Sequence, residues 1–583
     1  MKETNEPGVS TWKSPLKGWR WLAGWGVLIA SLAAIARMVL GLTTDTSDAG
    51  HTALPWLLSI SLALALVIFI GVLVRCFSSG RNFRRLLFGL ACLAGLIGLF
   101  YAEEDVRGRL GWARFKARWE SRGEKFDFTA FIPPTVADER NFAMTPVVVT
   151  AYAQVLDRNG NRVSPQDTNV VNRLKMPLDS GDGGPTNGIG NWQKAVSTDL
   201  EPWQRYYRNL ALSTNLFPVA PQPQTPAADV LLALSKYDAT IEELRGAAAL
   251  PASRFPLNYS SEEPFAILLP HLASAKGCAV VLRLRALAEL EAGQSEKALA
   301  DIKLALRLTE TIRSEPFLIT HLVRIAMLQL TMQAVWEGLA SHHWTDAQLS
   351  DLDQQLGGLD FVAGYQTALR SENACQVAST EFLRQHPSRF REYLDSGETD
   401  PFRFPDALVH LIPSGWYYQN EVSGSRFILE RFLPIGDSEQ RTFSCTLARE
   451  AEDSLRKIRQ GPYSFLCRIF LPGLTNIPRK FAWAQAAVNL ARTACALERH
   501  RLAHGRLPGT LDALAPQFMA KVPHDPIAGR PLHYHPTDDG HFVLYSVGWN
   551  EKDEGGIVAF TSSGSVDLDN GDWVWRYPDS PKP

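Results

Sequence analysis

Hydrophobic residues are concentrated first in three long apolar stretches near the N-terminus, at residues 21–42, 53–74 and 86–102. At about 1.5 Å per residue, the first two are long enough to cross about 30 Å of hydrocarbon as helices, and the third is at the short end of that range. Beyond residue 103 the chain alternates apolar and polar positions as soluble domains do. The pattern predicts a membrane anchor of three helices over residues 1–102, followed by a soluble body.

Basic residues flank these stretches unevenly. The N-terminal segment and the connection between the second and third stretches are rich in Lys and Arg, whereas residues 43–52 contain neither. Because positively charged loops stay in the cytoplasm, three crossings would place the body outside it, in the periplasm of a bacterial inner-membrane, multi-pass protein. The basic residues after the third stretch oppose this orientation: Arg107, Arg109, Arg114, Lys116, Arg118 and Arg122. If residues 86–102 do not cross, the body is cytoplasmic.

The segment 103–228 is predicted to hold a juxtamembrane helix and an irregular region rich in Pro and Gly. Residues 108–125 form a basic, aromatic helix containing Trp112, Phe115 and Trp119. This helix either lies at the membrane interface or packs on the body. Residues 157–192 are rich in Asn, Asp, Gly and Pro and predict an exposed loop, and the Pro-rich residues 217–228 predict a linker or extended tether.

The segment 229–478 is predicted to be a large α-helical domain, because Leu and Ala recur at spacings of three and four. Within residues 284–308, small residues at Ala288, Ala298 and Ala305 and a turn at Gly293 resemble one tetratricopeptide-type hairpin. The resemblance implies close helix pairing and, in stacked copies, a peptide-binding groove. A second copy at the 34-residue period is missing, which favours a plain helical domain. The aromatic residues 416–418 either stack on a ligand or fill a core, and we favour the core.

The segment 479–583 is predicted to be a small α+β module with an antiparallel sheet. A helix over about 481–503 is followed by a Gly- and Pro-containing loop, a strand at 541–548 and a closing segment at 567–575. This order resembles the globular part of the major pseudopilins of type II secretion systems, which implies a calcium-binding loop. The helix is internal and has no processing leader, so the resemblance extends to the globular module alone. The whole layout resembles uncharacterised membrane-anchored proteins of planctomycete and verrucomicrobial bacteria.

The calcium site that the resemblance implies would use oxygen ligands from two acidic turns. Calcium prefers six to eight oxygens from Asp, Asn and backbone carbonyls. The candidate ligands are Asn550, Asp553, Asp567, Asp569 and Asp572. The alternative is that these residues serve as turn formers that cap the strands.

Composition and motifs give no reason to propose several other functions. The net charge of −2 gives no strong field for nucleic acid, and the seven cysteines include no CxxC pair that would indicate a zinc site. His500 and His504 lie four apart, but Arg501 occupies the position of the glutamate in the HExxH pattern, so surface histidines are expected. Nucleophile-elbow, Walker and dinucleotide motifs are missing from the sequence.

The sequence therefore predicts a mainly α protein with a non-catalytic interaction or scaffold function. Its expected partners are membrane lipid and envelope proteins, without nucleic acid, and calcium is the one cofactor considered. The alternative is an envelope hydrolase with a site between the helical domain and the C-terminal module.

Overall fold

A computed structural model of the protein describes residues 80–152, 172–179, 184–185, 188–390, 409–459, 461–527 and 529–578. The predicted spans over residues 21–42 and 53–74 lie outside the described residues, as does most of the loop predicted over 157–192. The described chain is mainly α, with small antiparallel sheets near its C-terminal end. This confirms the predicted fold class.

The helices and strands have the following bounds. The longer helices are α1 Gly80–Glu120, α2 Glu201–Leu210, α3 Pro226–Leu234, α4 Asp238–Ala248, α5 Pro270–Glu291, α6 Ser295–Thr311, α7 Leu318–Ala340, α8 Asp346–Gly357, α9 Phe361–Gln385, α10 Ser414–Phe427, α11 Cys445–Arg456 and α12 Ile477–His504. Single helical turns occur at Pro146–Val149 and Cys467–Phe470. The strands are β1 Gly436–Asp437, β2 Thr442–Phe443, β3 His533–Pro536, β4 Phe542–Ser546, β5 Val558–Phe560, β6 Val566–Gly571 and β7 Trp573–Trp575.

The chain divides into two compact units, one made of Met1–Gly111 with Leu383–Tyr418 and the other of Trp112–Phe382 with Gln419–Pro583. In the described part of the first unit, Gly108 and Gly415 bring α1 and the start of α10 into backbone contact. The backbone N–H of Gly415 donates to Asp105 Oδ1 at 2.7 Å. The division of the chain at residues 102, 228 and 478 stays a prediction.

Helix α1 contains the third predicted span. Two helices among the described residues are long and apolar enough to cross a membrane, Phe83–Glu120 and Leu318–Ala340. The most apolar window of the first is 0 % buried, whereas that of the second is 67 % buried. The second helix, α7, is therefore a core helix of the body. The first exposes a row of large apolar side chains: Leu87, Phe88, Leu90, Leu93, Leu96, Ile97, Leu99 and Phe100.

The predicted juxtamembrane helix is not a separate element, because α1 runs without a break from the apolar stretch to Glu120. Ion pairs from Arg107 to Glu103 and Glu104, four and three residues away, support the helix where its apolar part ends. In the second unit, Phe115 is 5 % exposed and its ring lies 6.2 Å from that of Phe126. Of the two alternatives for residues 108–125, packing on the body is therefore confirmed for this aromatic face.

The predicted hairpin is present as α5 and α6. Ala288 and Ala298 are fully buried, as close packing of two helices requires, and Gly293 adopts φ +73° in the turn between them. Helix α7 packs against both. Just before this region, the Pro-rich segment is held on the body rather than extended away from it, because Phe217 is buried and Arg208 donates to the carbonyl of Ala220.

Helix α12 is central to the second unit. Its Ala-rich sequence is buried on nearly all sides, and it ends at Gly505, which adopts φ +70° at the C-terminal cap. A chain of side-chain hydrogen bonds connects it to its neighbours: the N–H of Phe361 donates to Gln485 Oε1, Gln485 donates to Asn489, and Asn489 donates to the carbonyl of His524. This chain fixes α9 and the C-terminal segment to the same helix.

The C-terminal sheet has the strand order β3-β4-β7, with both pairs antiparallel. Leu544 pairs with Trp575, and both side chains are fully buried. Strands β5 and β6 form a separate antiparallel pair. The predicted helix at 481–503 and strand at 541–548 are thus confirmed as α12 and β4, with ends shifted by a few residues.

Candidate functional site

Two clefts in the helical region are lined by several charged side chains. We call the first the carboxylate cleft; it has a volume of about 520 Å³. Its charged lining residues are Asp238, Glu242, Arg245, Arg285, Glu289, Lys297 and Asp301. We call the second the arginine cleft; it has a volume of about 550 Å³ and includes Arg254, Arg307, Glu310 and Arg313. Both volumes suit a small ligand.

Asp301 is the centre of the carboxylate cleft. It lies on α6 and is fully buried. Arg245 Nη2, from α4, donates to Asp301 Oδ1 at 2.8 Å, and Arg285 Nε, from α5, donates to Oδ2 at 2.9 Å. Each carboxylate oxygen therefore has an arginine partner, and three helices are joined at one buried charge. This pairing offsets the high cost of removing the carboxylate from water.

Glu289 lies beside this pair, in the last turn of α5. Its Oε1 is 3.5 Å from Arg285 Nη2, and its Oε2 has no hydrogen-bond partner in the protein. Burial and then the charge of Asp301 raise the pKa of Glu289 to about 8, against the opposing effect of Arg285. Burial also raises the pKa of Asp301. The two carboxyl groups can therefore hold a proton between them near neutral pH.

A second buried ion pair lies behind the arginine cleft. Arg324 on α7 is fully buried; its Nη2 bonds to Glu310 Oε1 and its Nε donates to the carbonyl of Thr309. Its Nη1 is 3.1 Å from His321 Nδ1. Burial and then the charge of Arg324 lower the pKa of His321 to about 3. His321 is therefore neutral at physiological pH and is held as an uncharged partner of the guanidinium.

Three of the predicted calcium ligands, Asn550, Asp553 and Asp572, lie in or contact the turn between β4 and β5. Asp572 is buried and accepts the backbone N–H groups of Glu554, Gly556 and Ile557. Burial raises its pKa to about 6 although these hydrogen bonds oppose the shift. Tyr545 donates to Asp553, and Asn550 donates its amide to Glu554. These hydrogen bonds stabilise the turn between β4 and β5.

The other two predicted ligands have different partners. Asp567 accepts from the N–H of Asp569 and the amide of Asn570, and Asp569 forms an ion pair with Arg479. In the part of the chain that the structure describes, there is no group of three or more His, Cys, Asp or Glu side chains that could hold a metal ion. The calcium site therefore stays a prediction, and the observed hydrogen bonds of Asn550, Asp567 and Asp572 are of the turn-capping kind that the alternative describes.

The remaining candidate residues have ordinary structural contacts. The rings of His500 and His504 stack at 4.2 Å, and each ring is within hydrogen-bond distance of a backbone carbonyl. Tyr417 is buried, and Tyr418 lies under the guanidinium of Arg384, 5.5 Å from the ring centroid. The core interpretation of the aromatic segment is therefore confirmed for Tyr417.

An ion pair occupies the position where the alternative function would need a site, between helical residues and the C-terminal module. His342 Nδ1 is 2.8 Å from Glu498 Oε1, and Arg501 donates to both oxygens of Glu498. Burial alone would raise the pKa of Glu498, but the hydrogen bonds from Arg501 and His342 lower it below its usual value. Glu498 is thus a fixed carboxylate.

The charged residues of both clefts were not predicted from the sequence. A usable signal was present in the predicted hairpin, where Arg285 and Glu289 are four apart and Asp301 interrupts the apolar residues Ala300 and Ile302. A charge on the apolar face of a helix indicates a buried partner on another element. The partner Arg245 could not be identified, because it comes from a different helix.

Comparison with protein-family models, with curated proteins and with solved structures gave no match to this chain.

Proposed function

We propose that the protein is a membrane-anchored envelope protein whose body is a non-catalytic interaction or scaffold module. The observation that carries this proposal is the continuity of α1. Its apolar residues are exposed over the length of a membrane span, while Phe115 of the same helix is built into the core of the second unit. A helix with an unburied apolar half and a packed polar half suits a bilayer on one side and a folded domain on the other.

The proposed anchor is the bacterial inner membrane, with several crossings and a periplasmic body. Arg84 and Arg85 precede the apolar part of α1, and Glu103 follows it, so residues 86–102 are free of charge. They span roughly 25 Å as a helix at about 1.5 Å per residue. Snorkelling of the flanking arginines would extend the span to the interface.

Interaction is preferred to catalysis because the buried carboxylates Asp301, in the carboxylate cleft, and Glu498, at the predicted seam, are engaged with arginines. Asp301 and Glu498 each bind arginines through both oxygens. The described cysteines of the body are buried, and burial raises the pKa of Cys278 and Cys467 to about 12, so neither is a reactive thiolate. At the seam predicted for the hydrolase, His342 is bound to a carboxylate that Arg501 already holds. These contacts favour a structural role for these side chains over a catalytic one.

The pseudopilin-like origin of residues 479–583 is also proposed rather than established. It is supported by the order of a long helix, a glycine-terminated loop and a small antiparallel sheet. The calcium site of that family is left out of the proposal, because Asn550 and Asp572 are engaged in separate hydrogen bonds within the turn.

The anchoring is tested by extraction and by a reporter. Membranes from cells that express the full chain are washed with alkaline carbonate, and alkaline phosphatase is fused after Pro583. Retention in the carbonate-insoluble fraction with active phosphatase is the expected result. Release by carbonate would contradict the anchor, and retention with inactive phosphatase would place the body in the cytoplasm and remove the envelope partners from the proposal.

A further inference from the structure

The arginine cleft carries an excess of positive charge. Among its described lining residues, Arg254, Arg307 and Arg313 are cationic and Glu310 is acidic. Glu310 is shared, because Arg313 Nη1 is 3.2 Å from its Oε2 while the buried Arg324 bonds to its Oε1. Three cations against one anion leave two positive charges along the wall of the cleft. This matches the charge of about −2 on a phosphate monoester near neutral pH.

Arg254 and Arg307 are held in place by backbone carbonyls and still have free donors, whereas Arg313 is held by its ion pair with Glu310. Arg254 Nε donates to the carbonyl of Pro133 at 2.9 Å, and Arg307 donates Nε to Ala248 and Nη2 to Leu250. Within the described chain, the two Nη groups of Arg254 and the Nη1 of Arg307 have no hydrogen-bond partner in the protein. Because the guanidinium groups are already fixed, binding an oxyanion would immobilise little additional side chain.

The rest of the wall would accommodate a molecule with an apolar part. Pro133, Pro134, Leu306 and Leu359 line the cleft beside the arginines. Ser253 also lines it, and the hydroxyl of Ser253 is buried without a hydrogen-bond partner in the protein. A buried hydroxyl beside fixed guanidinium groups is a further donor for an oxyanion, since unpaired buried polar groups are costly.

We propose that the arginine cleft binds a phosphate group carried on a small, partly apolar molecule. The guanidinium groups of Arg254, Arg307 and Arg313 would supply the charged donors, Ser253 a hydroxyl donor, and the proline and leucine side chains would contact the apolar part. This site is separate from the anchoring function, because none of its residues belongs to the apolar half of α1.

The test uses the full chain in detergent and isothermal titration calorimetry. The probes are inorganic pyrophosphate, as a soluble phosphate, and a short-chain phosphatidic acid, as a lipid headgroup. The variant is Arg313→Gln, since the side chain of Arg313 is 65 % exposed and its substitution is expected to leave the fold intact. Loss of one charge-assisted hydrogen bond is expected to weaken binding about 10- to 100-fold. Arg456→Gln is the matched control, an arginine 71 % exposed and paired with Glu452.

Each result is decisive. Saturable binding of pyrophosphate that weakens in Arg313→Gln and not in Arg456→Gln would support a site for soluble phosphate compounds. Binding of phosphatidic acid alone, with the same dependence on Arg313, would support a lipid headgroup as the source of the phosphate. Failure of both probes to bind at millimolar concentration, or binding that Arg313→Gln leaves unchanged, would overturn the proposal.

Discussion

At the scale of single residues, the body is organised around buried charges that are satisfied by partners from other helices. Asp301 accepts from Arg245 and Arg285, and Arg324 is enclosed with Glu310 and His321. Such groups are costly to bury, and each is tolerated because its partner is fixed in the right geometry. Substitution of one member should therefore lower the free energy of unfolding by more than the loss of its own hydrogen bonds, because its partner is left buried without a counter-charge.

The change Asp301→Ala is expected to destabilise the body by about 3–5 kcal/mol, because it leaves two arginines near the cleft without their shared carboxylate. The measurement is the thermal unfolding of the detergent-solubilised chain. Glu452→Ala is the control, because this glutamate is 44 % exposed and paired with Arg456 on the same helix surface. Exposed pairs of this type contribute about 0–1 kcal/mol. Equal losses of stability in the two variants would contradict the importance of Asp301 as the shared partner of two arginines.

The carboxyl pair also gives the body a pH dependence. The folded pKa of Glu289, about 8, is above that of an unfolded glutamate, so the folded state holds the proton over the interval between the two values. Stability should therefore fall as pH rises from about 4.5 to 8 and should level off above that range. Glu289→Gln removes the titrating group and should flatten this slope, whereas Glu452→Gln should keep it. Unfolding curves at several pH values would show an unchanged slope in Glu289→Gln if the proton were held elsewhere.

At the scale of elements, the hydrophobic pattern was enough to find α5, α6 and α12. Their apolar residues recur with helical spacing. Gly293 lies in the turn between α5 and α6, and Gly505 caps the C-terminal end of α12. The short strands β3 and β5 were not identified individually. A strand of three or four residues has too little alternation of apolar and polar residues to be distinguished from a loop. The merging of the third span with the juxtamembrane helix was missed because the charges at 103–107 suggested an end, whereas they form ion pairs along one helix.

The close contact between α1 and α10 in the first unit depends on two glycines. A Cβ added at Gly108 would lie 2.3 Å from the carbonyl oxygen of Gly415, so Gly108→Ala must push the two backbones apart. The expected result is faster hydrogen exchange over residues 411–418, where Gly415 donates to Asp105. Gly98→Ala is the control in the same helix, because nothing lies within 4 Å of its added Cβ. Unchanged exchange in Gly108→Ala would show that the contact is looser than described.

At the scale of the whole molecule, the sequence predicted the mainly α fold with an antiparallel C-terminal sheet, and it could not predict either charged cleft. The fold class follows from local periodicity, which each segment carries by itself. The clefts arise where Arg254 and Arg307, more than fifty residues apart, are both fixed by backbone carbonyls of other segments. Such pairings depend on the path of the chain between them, which a single sequence does not specify.

The orientation of the body depends on whether α1 crosses the membrane. Leu93 and Leu96 lie near the middle of its uncharged part and are 53 % and 64 % exposed, so Arg at both positions should leave the folded body intact. Each Arg near the centre of a span costs about 2.5–3.5 kcal/mol of insertion free energy. If the body is periplasmic as proposed, the double variant Leu93→Arg, Leu96→Arg should lose the third crossing and place the body in the cytoplasm. Phosphatase fused after Pro583 should become inactive, and a fluorescent protein at the same position should become bright.

The control Leu212→Arg changes a leucine of the body that is 88 % exposed and should keep the phosphatase active. An active phosphatase in the double variant would show that α1 does not determine the orientation, and the anchor would then have to be sought in the residues before Gly80.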